Sequence, residues 1–218
     1  MNKEDAIKKV EEFVTQDEIQ QKAREELLRY LKCEDKPSEQ PIVDAVVLGM
    51  KDVCEFLIHS GCDINQFDTD LDGCWWSPLM YAIELGHKDI FDLLLENGVN
   101  INWWPIEQEQ CPLGVAVENG RTDMFFELVR RGVSLDQECD DELINLTFSY
   151  PKEELLMNAI ENHNEKITLF LLEQGCDLNR HVRYSWENFW EFAKRINALD
   201  FLEHVVSLYK NKVSYTDL

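Results

Sequence analysis

The chain has 218 residues, 44% of them hydrophobic, and sets 21 Lys and Arg against 43 Asp and Glu for a net charge of -22. The hydrophobic content suffices for a buried core and argues against wholesale disorder. The charge disfavours nucleic acid and anionic membrane surfaces as partners and favours basic proteins, while leaving the fold to be read from the pattern along the chain.

Residues 2–32 alternate charges with apolar residues at helical spacing: Ile7, Val10, Phe13 and Val14, then Ile19, Ala23, Leu27, Leu28 and Leu31. Two helices are expected, the second opened by Asp17 as N-cap, and residues 1–38 are read as an N-terminal helical cap on the rest of the chain. A polar connection that contains Pro37 then leads into a self-similar region.

Counted from Pro78 as zero, Ala82 lies at offset four, Gly86 at eight and Gly98 at twenty. The same offsets from Pro41 give Ala45, Gly49 and Gly61, and from Pro112 they give Ala116, Gly120 and Gly132. From Leu155 they give Ala159, His163 and Gly175. Offsets twelve, sixteen and seventeen are apolar throughout: Val53, Leu57 and Ile58; Ile90, Leu94 and Leu95; Met124, Leu128 and Val129; Ile167, Leu171 and Leu172. Pro suits a first helical turn, Gly ends a helix in the left-handed conformation, and Ala admits a close neighbour. Each unit therefore reads as a short helix, a turn, and a second helix whose apolar stripe is buried only if the units stack. A degenerate fifth unit starts at Phe189, with Ala193, Phe201, Val205 and Val206 in the expected slots and Asn197 in place of the first Gly. The tail from Lys210 to Leu218 reads as frayed.

Ser77-Pro-Leu-Met-Tyr-Ala82, Gly86-His87 and Leu94-Leu-Glu-Asn-Gly-Val-Asn-Ile-Asn102 resemble the ankyrin repeat, with Met80 standing where the T-P-L-H-x-A signature has His. The resemblance implies an all-α ankyrin-repeat solenoid of stacked helix pairs with short β-hairpin fingers and helical caps. Four repeats are expected at 39–65, 66–102, 103–136 and 137–180, with a degenerate fifth repeat and C-terminal cap over 181–218. It further implies that first-helix positions six and seven line the concave face: Val47 and Leu48, Glu84 and Leu85, Glu118 and Asn119, Glu161 and Asn162. The first pair has the alternative of packing against the N-terminal helices.

Unit starts at 41, 78, 112, 155 and 189 are 37, 34, 43 and 34 residues apart, against about 33 for the family repeat. The offsets inside units are constant, so the additional residues belong to the connections. Asp68, Asp70 and Asp72 lie in the first connection, and Glu107 and Glu109 in the second. The third holds Asp136, Glu138, Asp140, Asp141, Glu142, Glu153 and Glu154 against Lys152. Together the three carry -11 of the net -22. Trp75-Trp76 closes the first connection and Trp103-Trp104 opens the second, whereas Trp186 and Trp190 are expected in the core. Acidic, Trp-bearing fingers fit capture of a basic protein, since charge steers the encounter and Trp supplies a rigid contact. The alternatives are solvated loops that resist aggregation and Trp rings packed on their own helices.

Seven cysteines, at 33, 54, 62, 74, 111, 139 and 176, form no CxxC and no zinc spacing, and read as reduced thiols of a cytoplasmic protein. No signal peptide or membrane span is visible. Asp68-Thr-Asp-Leu-Asp-Gly73 opens like a calcium loop, but its twelfth position is Leu79. His59, His87, His163, His181 and His204 fall in no catalytic motif, so no catalytic, cofactor or metal site is expected. The expected function is a non-catalytic binding module, monomeric when free, that captures and inhibits a basic protein. Its face would comprise the acidic and Trp residues of the fingers with Glu84 and Glu118. Similarity in size and charge to bacterial ankyrin-repeat immunity proteins suggests a toxin as target; a host protein met by a bacterial or viral effector is the alternative.

Overall fold

The computed structural model describes residues 1–33, 39–67, 76–102, 111–135, 137–141, 146–150, 152–181 and 186–216. The chain forms two compact units, Met1–Gln108 and Glu109–Leu218. The first holds α1 (Lys3–Glu11), α2 (Glu18–Lys32), α3 (Pro41–Val47), α4 (Lys51–His59), α5 (Pro78–Glu84) and α6 (Lys88–Glu96). The second holds α7 (Pro112–Glu118), α8 (Thr122–Arg130), α9 (Lys152–Glu161), α10 (Glu165–Glu173), α11 (Phe189–Arg195) and α12 (Leu199–Thr216). Strands β1 (Gln137–Asp141) and β2 (Leu146–Tyr150) make an antiparallel hairpin between α8 and α9, pairing Gln137 with Tyr150 and Asp141 with Leu146.

The counted offsets become geometry. Pro41, Pro78 and Pro112 open α3, α5 and α7, where an absent N–H costs nothing. With Leu155 in that slot, α9 starts three residues earlier, at Lys152. Every first-turn slot at offset eight has positive φ, from Gly49 at 66° to His163 at 50°, and Asn197 of the fifth unit matches them at 61°. The close approach differs from turn to turn. A Cβ on Gly49 would stand 3.0 Å from Cε1 of His87 in the next helix pair.

Ala45, Ala82, Ala116, Ala159 and Ala193 are all fully buried. Along the second helices offsets twelve and sixteen are buried throughout the four expected repeats, while Ile58 and Val129 at seventeen are half-buried. Offset thirteen, absent from the apolar pattern counted in the sequence, is sealed in all five pairs by Cys54, Phe91, Phe125, Thr168 and Leu202. In the second unit Phe125, Phe126 and Phe170 join α8 to α10 through edge-on ring contacts with centroids 5.3–6.0 Å apart. Polar stitches complement them: Asn164 Nδ2 donates to Thr122 Oγ1 at 2.7 Å. In the first unit, Asn100 N donates to Asn65 Oδ1 at 2.7 Å.

Helices α1 and α2 both pack on the α3–α4 pair. Asp17 caps α2 as expected, its carboxylate accepting from Gln20 N at 2.9 Å. Lys9 pairs with Asp52 of α4, and Tyr30 Oη lies 3.1 Å from Cys62 Sγ. That hydrogen bond, with burial, pushes the Tyr30 hydroxyl up to about 12. The first helix is shorter than its apolar pattern suggested. It stops at Glu11, where the Arg24 guanidinium takes the carbonyls of Val10 and Glu11 at 3.0 and 2.8 Å. Val14 is therefore left 90% exposed, and Ile19 in the first turn of α2 is 54% exposed. The C-terminus differs in the opposite sense: α12 runs to Thr216 rather than fraying from Lys210. Lys212 holds it to Glu173 of α10, and the His163 and Phe201 rings meet at 5.0 Å.

Candidate functional site

The first helices α5, α7 and α9 all end in glutamate, and none carries a basic residue in its last turn. A carboxylate there sits at the negative end of the helix dipole. Helices α6 and α10 also end in Glu, but Glu173 of α10 has Lys212 as partner. At the equivalent place in α3 stand Val47 and Leu48, both 5% exposed beneath the N-terminal helices. The packing alternative applies to that pair. Glu84 of α5 is half-buried, and burial pushes its carboxyl above the ordinary range.

The second unit gathers a denser set. Glu154, Asn158 and Glu161 stand one turn apart along α9, a spacing that puts them on one face, and α9 packs on α7. Asn158 Nδ2 donates to Glu118 Oε1 at 3.1 Å. Glu118 is raised first by desolvation and then by the charge of Glu161, with the Asn158 hydrogen bond acting the other way. Glu154 and Asn158 are buried polar residues at 7% and 9% exposure. Beneath them the Cys111 thiol is pushed up to about 12, chiefly by burial and in smaller part by Glu118 and Glu154. Cys54 reaches about 12 through burial as well, so both thiols stay protonated and poorly nucleophilic at neutral pH.

Glu118 is expected at the face from the sequence, whereas Glu154 is expected there in the third connection. Glu153 and Glu154 instead belong to α9. Counting from Leu155 hides this; the i, i+4, i+7 phase of Glu154, Asn158 and Glu161 is the available signal. Within the third connection Glu138, Asp140 and Asp141 lie on β1, paired with Ser149, Thr147 and Leu146. This segment is a hairpin finger, as expected. Asp68, Asp70, Asp72, Trp75, Trp103, Trp104, Glu107, Glu109 and Glu142 lie outside the described residues, as does the calcium-loop-like stretch. Trp76 is half-buried, with its ring tilted against Tyr81 of α5 at 5.3 Å. The ring thus packs on the helix that follows it while staying partly accessible.

Trp186 overturns the core assignment: it is 92% exposed. The connection bearing it is closed by an antiparallel bridge between His181 and Asn188. Asn188 is the N-cap of α11 in a reciprocal capping box with Glu191, so Trp186 falls before the helix rather than on its buried face. Trp190, the second residue of α11, is half-buried. At the start of this connection Arg180 reaches Glu153 of α9 at 2.6 Å, and the Glu153 side chain is only 12% exposed.

These groups can attract and hold cationic side chains, and no helix among the described residues is long and apolar enough to cross a membrane. In comparison with known families, residues 43–139 match the model described as ankyrin repeats (3 copies). No curated protein matches the chain.

Proposed function

Given an all-α chain of ankyrin repeats, hence a protein–protein interaction module, we propose that it captures and inhibits a basic protein without catalysis, acting as a monomer in the cytoplasm. The observation that carries this reading is Glu118. It is exposed at the end of α7, its charge opposed by desolvation and by Glu161 and favoured by the Asn158 hydrogen bond, and the helix end disfavours it. Local conflict of this kind marks sites kept for function, and a bound cation relieves all of its components together.

Within the first unit Glu84 is the corresponding helix-end carboxylate, and we assign it, the acidic residues of the connections, and Trp75, Trp76, Trp103 and Trp104 to partner binding as part of the same proposal. So does the division into a cap over 1–38, four repeats over 39–180 and a degenerate repeat with cap over 181–218. Inhibition in the manner of an immunity protein accords with the chemistry: carboxylates can fill the anion sites of a phosphate-handling toxin, and charge steering speeds its capture.

The test is affinity capture from the native cell with wild type and Glu118→Gln/Glu161→Gln, followed by mass spectrometry. A basic protein, of pI above about 9, should be retained by wild type. It should be lost from the double variant and eluted by roughly 0.5 M salt. Retention of only acidic or neutral proteins, or retention unaffected by both changes, contradicts the proposal.

A further inference from the structure

Helices α1 and α2 meet α4 around a cavity of about 410 Å³, a size that falls in the range of small-molecule sites, roughly 300 to 1,000 Å³. The cavity lies wholly within the first unit, and its lining is graded. Leu31 and Leu57 are buried, at 2% and 0% exposure, and Phe56 and Tyr30 are half-buried. Lys3, Cys33 and Ser60 are exposed. The inner end is therefore apolar and the mouth polar, which suits an amphiphile entering tail first.

Among the described residues that line it, Lys3 alone is charged, and its ammonium reaches Cys33 Sγ at 3.0 Å. Lys8 and Lys9 of α1 and Lys32 of α2 pair with Glu12, Asp52 and Glu11. Lys3 has no carboxylate partner among the described residues. A thiol is a weak acceptor and an ammonium has three donors, so the Lys3 head keeps capacity for a stronger acceptor. Cys33 ends α2 in the left-handed conformation, with φ of 56°, and in that geometry its sulfur stands beside Lys3 at the mouth. The remaining polar groups are already engaged. Tyr30 Oη lies 3.1 Å from Cys62 Sγ, and Ser60 Oγ donates to the Phe56 carbonyl at 2.8 Å. Recognition of a ligand head group thus falls to Lys3.

We infer that this cavity is a binding site for a small amphiphilic carboxylate, its tail against Leu31, Phe56 and Leu57 and its head on the Lys3 ammonium. The long-range field of a chain at -22 draws cations, so selection of an anion has to come from this local charge. A carboxylate gains a charge-assisted hydrogen bond at Lys3 that an amine of the same tail length cannot make. The site is separate from the acidic face, and its test is independent of the basic-partner reading.

Decanoate, kept below its micellar range and titrated calorimetrically into the full-length protein, is the probe, with decylamine as its counterpart of opposite charge. Decanoate should bind at one site and slow the alkylation of Cys33 by iodoacetamide, followed by mass spectrometry of the Cys33 peptide. Decylamine should protect Cys33 far less. Lys3→Gln should weaken decanoate binding by about fivefold and, because Lys3 is exposed, should melt as wild type does. Hexanoate should bind at least about tenfold more weakly than decanoate, since its shorter tail covers less of the apolar wall. Failure of decanoate to bind, binding that leaves Cys33 alkylation at its free rate, equal affinity in Lys3→Gln, equal affinity for hexanoate, or equal protection by decylamine each overturns the inference.

Discussion

Thr168 occupies the slot after Ile167 that Cys54, Phe91, Phe125 and Leu202 hold in the other helix pairs, and like them it is fully buried. Its hydroxyl has no hydrogen-bond partner among the described residues. An unsatisfied buried hydroxyl costs about 1–3 kcal/mol, and valine has nearly the same shape. Thr168→Val is therefore expected to stabilise the protein by about 1 kcal/mol in urea unfolding; a loss would mean that the hydroxyl is satisfied. Glu118 gives a pH-dependent counterpart. Its folded-state carboxyl is raised, mainly by desolvation, so its contribution to stability is full below the unfolded carboxylate pKa and is lost as pH rises through the folded value. At neutral pH the ionised group is a burden that glutamine lacks. Glu118→Gln should raise the melting temperature at pH 7, and the gain should vanish near pH 3. On the proposed function the same substitution should weaken capture of a basic partner, so stability and binding should move in opposite directions.

The turns between paired helices show which parts of an element can be read in advance. Gly98 and Gly49 both have positive φ, at 78° and 66°, but only Gly49 has a neighbour within reach of a Cβ. Gly98→Ala should cost about 1 kcal/mol, the strain of a left-handed alanine. Gly49→Ala should cost roughly twice that, because the His87 ring must also move. Equal losses would show that the contact with His87 is immaterial. Such turns were legible because Gly, Pro and Ala act through the backbone or through the absence of bulk, which the sequence displays directly. Asp17 was legible for a similar reason. The end of α1 was not, since Arg24 terminates it from fourteen residues downstream of Val10 rather than through a local Gly or Pro. The exposure of Trp186 runs against the core position expected of a Trp in the C-terminal cap. The Asn188–Glu191 capping box puts it outside α11 and could have been read first. Glu154 lies on α9 rather than in the connection because, with no Pro at position 155, the helix starts at Lys152.

Across the whole molecule the charge of -22 should give folding and the proposed capture of a basic partner opposite salt responses. Raising ionic strength from about 0.01 to 0.15 M shortens the screening length from roughly 30 to 8 Å, which relieves self-repulsion while weakening long-range attraction. The melting temperature of the free protein should rise over that interval, while its affinity for a basic partner falls; a melting temperature indifferent to salt would mean that self-repulsion is negligible. The left-handed closures carry a different consequence. Helices α4, α6, α8 and α10 each end in a left-handed turn, as at Gly132 with φ of 89° and Gly175 with φ of 83°, before the connection begins. The α8–α9 connection can hold a paired hairpin, and the α10–α11 connection a single bridge, without altering the buried offsets of the helices beside them. Connections of this kind behave as exchangeable cassettes. Grafting a different hairpin between Gly132 and Lys152 offers a way to redirect the protein to a new target while its scaffold is inherited intact.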